Sequence, residues 1–179
     1  MTAQQHPADT RPFTVRPART RDVRPVMEMA SPLVDKRVLV AKEAVAYYES
    51  IQEFLIAEDH DGQLLGFGAL HVMWEDLAEV RTLASDASHR GRGIGSALLE
   101  GLLQRARFLG VQRVFCLTFE VDFFRRHGFV VMEDQRPVDP DVYAELLRSP
   151  DEGVAEFLDL ARVKPNTLGN TRMILHLDS

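Results

Sequence analysis

The chain contains one cysteine, Cys116, among 179 residues. An internal disulfide is therefore impossible, and a zinc site built on cysteine thiolates is excluded. A lone thiol suits a reducing compartment, so the cytoplasm is the expected location. No apolar run approaches the roughly 20 residues that a membrane-spanning helix needs. The opening stretch, MTAQQHPADTRPF, lacks the apolar centre of a signal peptide, and residues 1–12 read as a frayed tail. Basic charge is scarce as well: 21 Lys and Arg stand against 27 Asp and Glu, a formal charge of −6. That balance argues against unspecific nucleic-acid binding, although a basic pocket can sit on an acidic protein. Internal repeats and low-complexity segments are missing too.

What remains is an ordinary globular composition, 45% hydrophobic and 27% charged, on a chain long enough for one core. One domain is expected over 13–179. Phe13 to Ala18 alternates like a first strand, and Thr20 is placed to cap a helix begun by Arg21 and Asp22. A second helix is expected over Lys42 to Glu53, with Val45, Tyr48, Ile51 and Gln52 near helical spacing. Phe54 to Glu58 and Leu64 to Met73 read as strands joined by a turn at Asp61-Gly62, and Ala78 to Ser85 as a further strand. Ile94, Leu98, Leu102 and Ala106 share one helical face, which Gly110 terminates. Gln112 to Phe119 reads as a strand buried on both faces. A short helix over Asp122 to His127 and a strand over Phe129 to Met132 follow. The 137–166 segment is expected to hold a helix from Asp141 to Arg148 and a stretch without assignment. RMILHLD closes the chain as a strand. The fold class is mixed α/β, antiparallel in its first half.

The stretch SDASHRGRGIGSALLEGLLQRA is the most informative. Gly91, Gly93 and Gly95 alternate with Arg90, Arg92 and Ile94 just where a helix begins. Glycine is unfavourable there unless the backbone itself has a task. A helix N-terminus presents unpaired N–H groups and partial positive charge, glycines let the preceding loop curl its own N–H groups inward, and the arginines add charge. This is a pyrophosphate cradle. A Walker loop would need Gly-Lys followed by Ser or Thr. A dinucleotide fingerprint would need G-x-G-x-x-G directly after its strand. Neither fits, and the bland alternative to a cradle of another kind is a loop that merely turns the chain.

Arg90-Gly91-Arg92-Gly93-Ile94-Gly95 resembles the R-x-x-G-x-G/A motif of the GCN5-related N-acetyltransferases (GNAT). It arrives in a matching context: a strand ending LAS, a polar turn, the motif, an amphipathic helix, an apolar strand and then FFRRHGF. The resemblance implies the GNAT fold, a mostly antiparallel central sheet splayed into a V and flanked by helices. It implies acetyl-coenzyme A as donor and no metal, with the pyrophosphate on the amides of Arg90 to Gly95 and Ser96 beside them. The pantetheine arm is expected to pair with the backbone near Leu83 and Ala84, in the V between that strand and Val114–Phe119.

Amine acetylation requires removal of a proton from the amine and stabilisation of an oxyanion. Glu79, early on the strand that such enzymes place beside the acetyl group, is the candidate base, acting through a water. The resemblance also implies a β-bulge in this strand, which flips side-chain parity and lets Glu79 and Thr82 face one side. The tyrosine that usually protonates the thiolate is replaced by Phe124, which cannot donate. Thr118 or water takes that role, or the thiolate leaves unassisted, while Phe123 and Phe124 pack against the core or the pantetheine.

EVRTLASDASHRGRGIGSALL, VFCLTFEVDFFRRHGF and KPNTLGNTRM together are similar to bacterial amino-acid N-acetyltransferases of the ArgA type. These acetylate the α-amine of glutamate or glutamine and open arginine biosynthesis. Lys42 matches the basic residue of their L-V-x-R/K segment and is a candidate partner for a substrate carboxylate. Arg81 is a second, because a central-strand arginine must find a partner or reach water. Asn170 and Thr171 match the polar pair before the last strand; Arg172 is a substrate or a surface residue. His60, His71, His89, His127 and His176 show no ligand spacing. Val154 to Asn166 reads as extra packing, a homodimer contact or a substrate lid. The alternatives to amino-acid acetylation are another amine, such as a polyamine or a protein N-terminus, and a non-catalytic coenzyme A-binding regulator.

Overall fold

The computed structural model describes residues 11–132, 139–160 and 169–177. Seven strands form one sheet in the order β1-β2-β3-β4-β5-β7-β6. They are β1 (Thr14–Pro17), β2 (Phe54–Glu58), β3 (Leu64–Trp74), β4 (Leu77–Ser85), β5 (Arg113–Thr118), β6 (Val130–Val131) and β7 (Thr171–His176). Every pairing is antiparallel except β4 with β5. The helices are α1 (Val23–Asp35), α2 (Ala44–Glu49), α3 (Ile94–Phe108), α4 (Val121–Arg126), α5 (Pro140–Leu146) and α6 (Glu152–Phe157).

Strand alternation divides the core between the two faces of the sheet. On one face, Ile94, Leu98, Leu102 and Ala106 of α3 bury against Leu70, Ala78, Val80, Val114 and Cys116. On the other, α1 and α2 cover Phe54, Ile56, Phe67 and Ala69. Beside them Val154, Phe157 and Leu158 cover Leu77, Phe115 and Ile174. The described part of the Val154 to Asn166 stretch, residues 154–160, thus packs against the sheet, which fits the extra-packing reading; positions 161–168 lie outside the described residues. A gap is left on this second face between the two helical groups, and charged side chains occupy it.

Several local expectations change. Thr20 opens a 3-10 turn, Thr20–Asp22, and α1 starts only at Val23. Asp22 organises that start: its carboxylate accepts the Arg19 N–H at 2.7 Å and two bonds from Arg16 of β1, which also reaches Glu58 of β2. The second helix is shorter than Lys42 to Glu53. It stops at Ser50, whose hydroxyl donates to the Ala46 carbonyl, and gives way to a 3-10 turn, Ile51–Glu53. The change of helical phase exposes Val45 and Tyr48 and turns Tyr47 inward against Phe54. The helix expected over Asp141 to Arg148 is α5, capped by Asp139. The stretch left without assignment contains α6, capped by Asp151.

Candidate active site

Two departures from regular pairing shape the centre of the sheet. Across β3 and β4 the register runs Phe67↔Ala84 and then Ala69↔Arg81, so Thr82 and Leu83 together face Gly68. This is the expected β-bulge. Thr82 takes a left-handed φ of +57°, a strained conformation for a β-branched residue. Gly68 makes room, because a Cβ there would lie 2.8 Å from Leu83 Cδ1. The second departure is that β4 and β5 stop pairing at Glu79↔Phe115, although β4 stays paired with β3 as far as Ser85. Past Glu79 the strands part, and Leu83 and Ala84 lie on the open stretch.

From the end of β4 a 3-10 turn, Ala87–His89, leads into the glycine-rich segment. Gly91 and Gly93 have φ of +79° and +78°, with no atom within 4 Å of where a Cβ would stand. Glycine is needed there for backbone conformation and not for space. Gly93 is the N-cap of α3 and offers no side chain to it. The first-turn amides of Ile94, Gly95 and Ser96 are therefore left for an outside acceptor. Arg90 and Arg92 stand exposed beside them. Cationic charge, curled amides and the positive end of a 15-residue helix converge on one spot.

Phe124 is buried in the core, edge-on to Phe123 and Phe129. Packing is its role here, because α4 turns its apolar face inward. The ring that reaches the glycine segment is Phe123, which lies 3.5 Å from a Cβ placed on Gly95.

The charged gap lies on the sheet face opposite α3. Glu79 is not a solvated edge carboxylate but 5% exposed. Its Oε2 accepts from Arg81 Nε at 2.9 Å and lies 2.6 Å from Arg81 Nη2. Arg81 in turn donates Nη1 and Nη2 to Asp151 at 3.2 and 3.0 Å. Asp151 also stands 3.6 Å from His71 Nε2, and His71 Nδ1 lies 2.7 Å from Glu53 Oε1. Lys42 enters from the segment before α2 and donates to Thr82 Oγ1 at 3.4 Å. Burial raises the Glu79 carboxyl, Arg81 opposes that, and Asp151 adds to the rise, which prevails. Burial lowers the Lys42 ammonium, and the Arg81 charge adds to the effect. Glu156 of α6 is pushed up to about 7 by burial and then by Glu79 and Glu152.

Of the residues singled out from the sequence, the fold thus gathers Lys42, Glu79, Arg81 and Thr82, and groups the cradle residues separately. Thr118 and Thr171 face each other across β5 and β7, with Asn170 just before. Thr118 Oγ1 accepts the Glu120 N–H at 2.8 Å. Among the described residues no hydrogen bond links Thr118 or Thr171 to Glu79 or Lys42. Arg172 donates Nη2 to the Phe157 carbonyl, and its Nε is buried without a partner.

Glu53, His71, Asp151, Gly153 and Glu156 were not singled out as site residues. For His71 the local signal was incomplete. A tight turn pairing Trp74 with Leu77 marks the hairpin, but continued regularly it would set Val72 opposite Glu79; a register shift between Val72 and Trp74 brings His71 there instead. Asp151 reads as an N-cap ahead of Val154, Phe157 and Leu158, but its place above Arg81 is purely tertiary.

Known proteins are similar to this chain. The family model described as acetyltransferase (GNAT) family matches residues 28–129. An amino-acid acetyltransferase of Mycobacterium tuberculosis is 51% identical over 175 residues, 97% of this chain and 99% of that one. The crystal structure of Rv2747 from M. tuberculosis in complex with CoA and NLQ superposes with a TM-score of 0.85 at 51% identity, covering 92% of this chain and 99% of that one. N-acetylglutamate synthase from Neisseria gonorrhoeae, complexed with coenzyme A and N-acetyl-glutamate, gives a TM-score of 0.73 at 22% identity, covering 93% of this chain and 35% of that one. This last likeness is one of fold alone.

Proposed function

Because the chain belongs to the acetyltransferase (GNAT) family, we propose that it acetylates the α-amine of an amino acid, glutamate or glutamine, with acetyl-coenzyme A as donor. The observation that carries this reading is the 51% identity, over 97% of the chain, with a protein named amino-acid acetyltransferase. In this reading the reaction opens arginine biosynthesis and takes place in the cytoplasm.

The cradle fits the donor's pyrophosphate: two left-handed glycines, uncapped amides at α3 and two free-standing arginines. The open stretch of β4 at Leu83 and Ala84 fits an extended pantetheine arm. When bound, acetyl-coenzyme A supplies a thioester carbon to which an amine nitrogen can bond as the thiolate leaves.

The protein's own residues prepare the amine. Glu79 accepts a proton from the substrate ammonium through a water, which frees the nitrogen lone pair. Its raised proton affinity suits that task better than an ordinary carboxylate would. Lys42 holds the substrate α-carboxylate, since its ammonium forms no ion pair within the described residues. Arg81 orients Glu79, and its donors are already engaged. In this reading Asn170 and Thr171 bind the substrate's other end, and the Thr118 hydroxyl, whose oxygen accepts from the Glu120 N–H, returns a proton to the thiolate.

Thiol release from acetyl-coenzyme A with a panel of amines tests the reading. Release is expected with glutamate or glutamine and not with polyamines or peptide N-termini. Glu79→Gln is expected to reduce the rate by roughly 10²-fold or more. Donor binding with no turnover on any amine overturns the proposal in favour of a regulator.

A further inference from the structure

Asp151 belongs neither to β4 nor to the glycine-rich segment, yet its carboxylate takes both terminal nitrogens of Arg81. We propose that Asp151 is a positioning residue for acetyl transfer: from the N-cap of α6 it fixes Arg81, and through Arg81 it fixes the Glu79 carboxylate. The inference rests on the reading in which Glu79 is the base.

The geometry is specific. A guanidinium is a planar fork, so a carboxylate that engages both outer nitrogens sets its orientation. With Asp151 on Nη1 and Nη2, the Nε hydrogen bond and the Nη2 ion-pair contact from Arg81 to Glu79 converge on one oxygen, Oε2. Among the described residues Oε1 has no hydrogen-bond partner. That is the arrangement a base acting through water needs, with one oxygen tethered and one open. Asp151 is itself anchored twice on its own side. Its Oδ1 accepts the Val154 N–H at 3.2 Å, and its N–H donates to Ser149 Oγ at 3.2 Å. His71, held by Glu53, stands against its other oxygen.

Charge sharing works in the same direction. The titratable groups that act on Glu79 are Arg81 on β4, His71 on β3, Lys42 before α2, the Cys116 thiol on β5, and Asp151 and Glu156 at α6. Among these acids Asp151 alone touches Arg81. Without it the guanidinium would be paired with Glu79 alone, and the carboxylate would become a weaker base.

Asp151→Asn probes this role, because asparagine caps a helix about as well as aspartate but loses the charge and one of the two acceptors that grip Arg81. The variant is expected to keep its circular dichroism spectrum and its KM for acetyl-coenzyme A. Its kcat should fall roughly tenfold, and the acid limb of its kcat–pH profile should move down by about one pH unit. Asp151→Ser also keeps a cap without the charge and should behave alike, whereas Asp151→Glu should keep the limb while losing rate. A purely structural role would leave the limb where it is. If Glu79→Gln abolishes the acid limb while Asp151→Asn and Asp151→Ser both leave limb and rate unchanged, the positioning role is wrong and the base stands. If Glu79→Gln itself changes nothing, the base assignment fails instead.

Discussion

Gly153 in the first turn of α6 stands so close to Glu79 that a Cβ on it would lie 2.0 Å from Oε2 and 2.8 Å from Arg81 Nη2. Neither carboxylate nor guanidinium can retreat easily, since each is tied to the other and Arg81 also to Asp151. Adding a methyl therefore drives α6 off the ion pair or breaks the pair. Gly153→Ala is expected to destabilise the fold by about 1–3 kcal/mol. It should also lower kcat at least tenfold while leaving KM for acetyl-coenzyme A unchanged. Thermal unfolding and steady-state rates measure both, and an unaltered kcat would show that this contact does not matter to the reaction.

The glycines of the cradle differ in what they tolerate. Gly93 has a φ of +78° and open space around it, so Gly93→Ala meets only a backbone penalty, about 1–2 kcal/mol. The variant is expected to adopt another turn and to raise KM for acetyl-coenzyme A roughly tenfold. A Cβ on Gly95 would meet only the Phe123 ring at 3.5 Å, an ordinary contact inside a helix. Gly95→Ala is thus expected to raise stability by about 0.5–1 kcal/mol. Paired denaturation and binding curves check the contrast, and equal behaviour of the two variants would contradict it.

How far the site could be read from the sequence follows from which interactions are local. The cradle was legible because glycines, arginines and a helix start lie within a few residues. The strands around it were legible from alternation and from the Asp61-Gly62 turn. The bulge at Thr82 came from the family resemblance, since EVRTLAS itself carries no mark of it. The phase of α2 was misjudged because a six-residue helix obeys tertiary demand, here the fit of Tyr47 against Phe54, more than its own periodicity. The Asp151–Arg81 bond joins positions 70 apart in sequence, and no local pattern encodes that distance.

Lys42 is a half-buried cation whose described hydrogen bond goes to a neutral hydroxyl. Its replacement should therefore affect binding more than folding. Lys42→Met is expected to leave the unfolding midpoint unchanged or slightly higher and to raise KM for the amino acid at least tenfold. Burial and then Arg81 hold the ammonium below its ordinary 10.5. Carboxylate binding should be intact while the amine is protonated and fade as pH rises through that lowered value. A KM–pH profile in which the alkaline rise is absent from Lys42→Met would establish the assignment; the same rise in both proteins would refute it.

Glu156 supplies a test that needs no substrate. Its carboxyl is pushed from an ordinary 4.5 up to about 7, by burial first and by Glu79 next. Below pH 4.5 the group is protonated in both folded and unfolded chains and costs nothing. Between those values the folded protein keeps a proton that the unfolded chain has lost, so stability falls as pH rises. Above about 7 the full penalty applies. Glu156→Gln removes it, and because the side chain is only partly buried the gain should be about 1–2 kcal/mol. Urea denaturation at acid and alkaline pH would then show equal midpoints for the two proteins at pH 4 and a more stable variant at pH 8. A gain at pH 4 as large as at pH 8 would point instead to packing, and would detach Glu156 from the charge balance around Glu79.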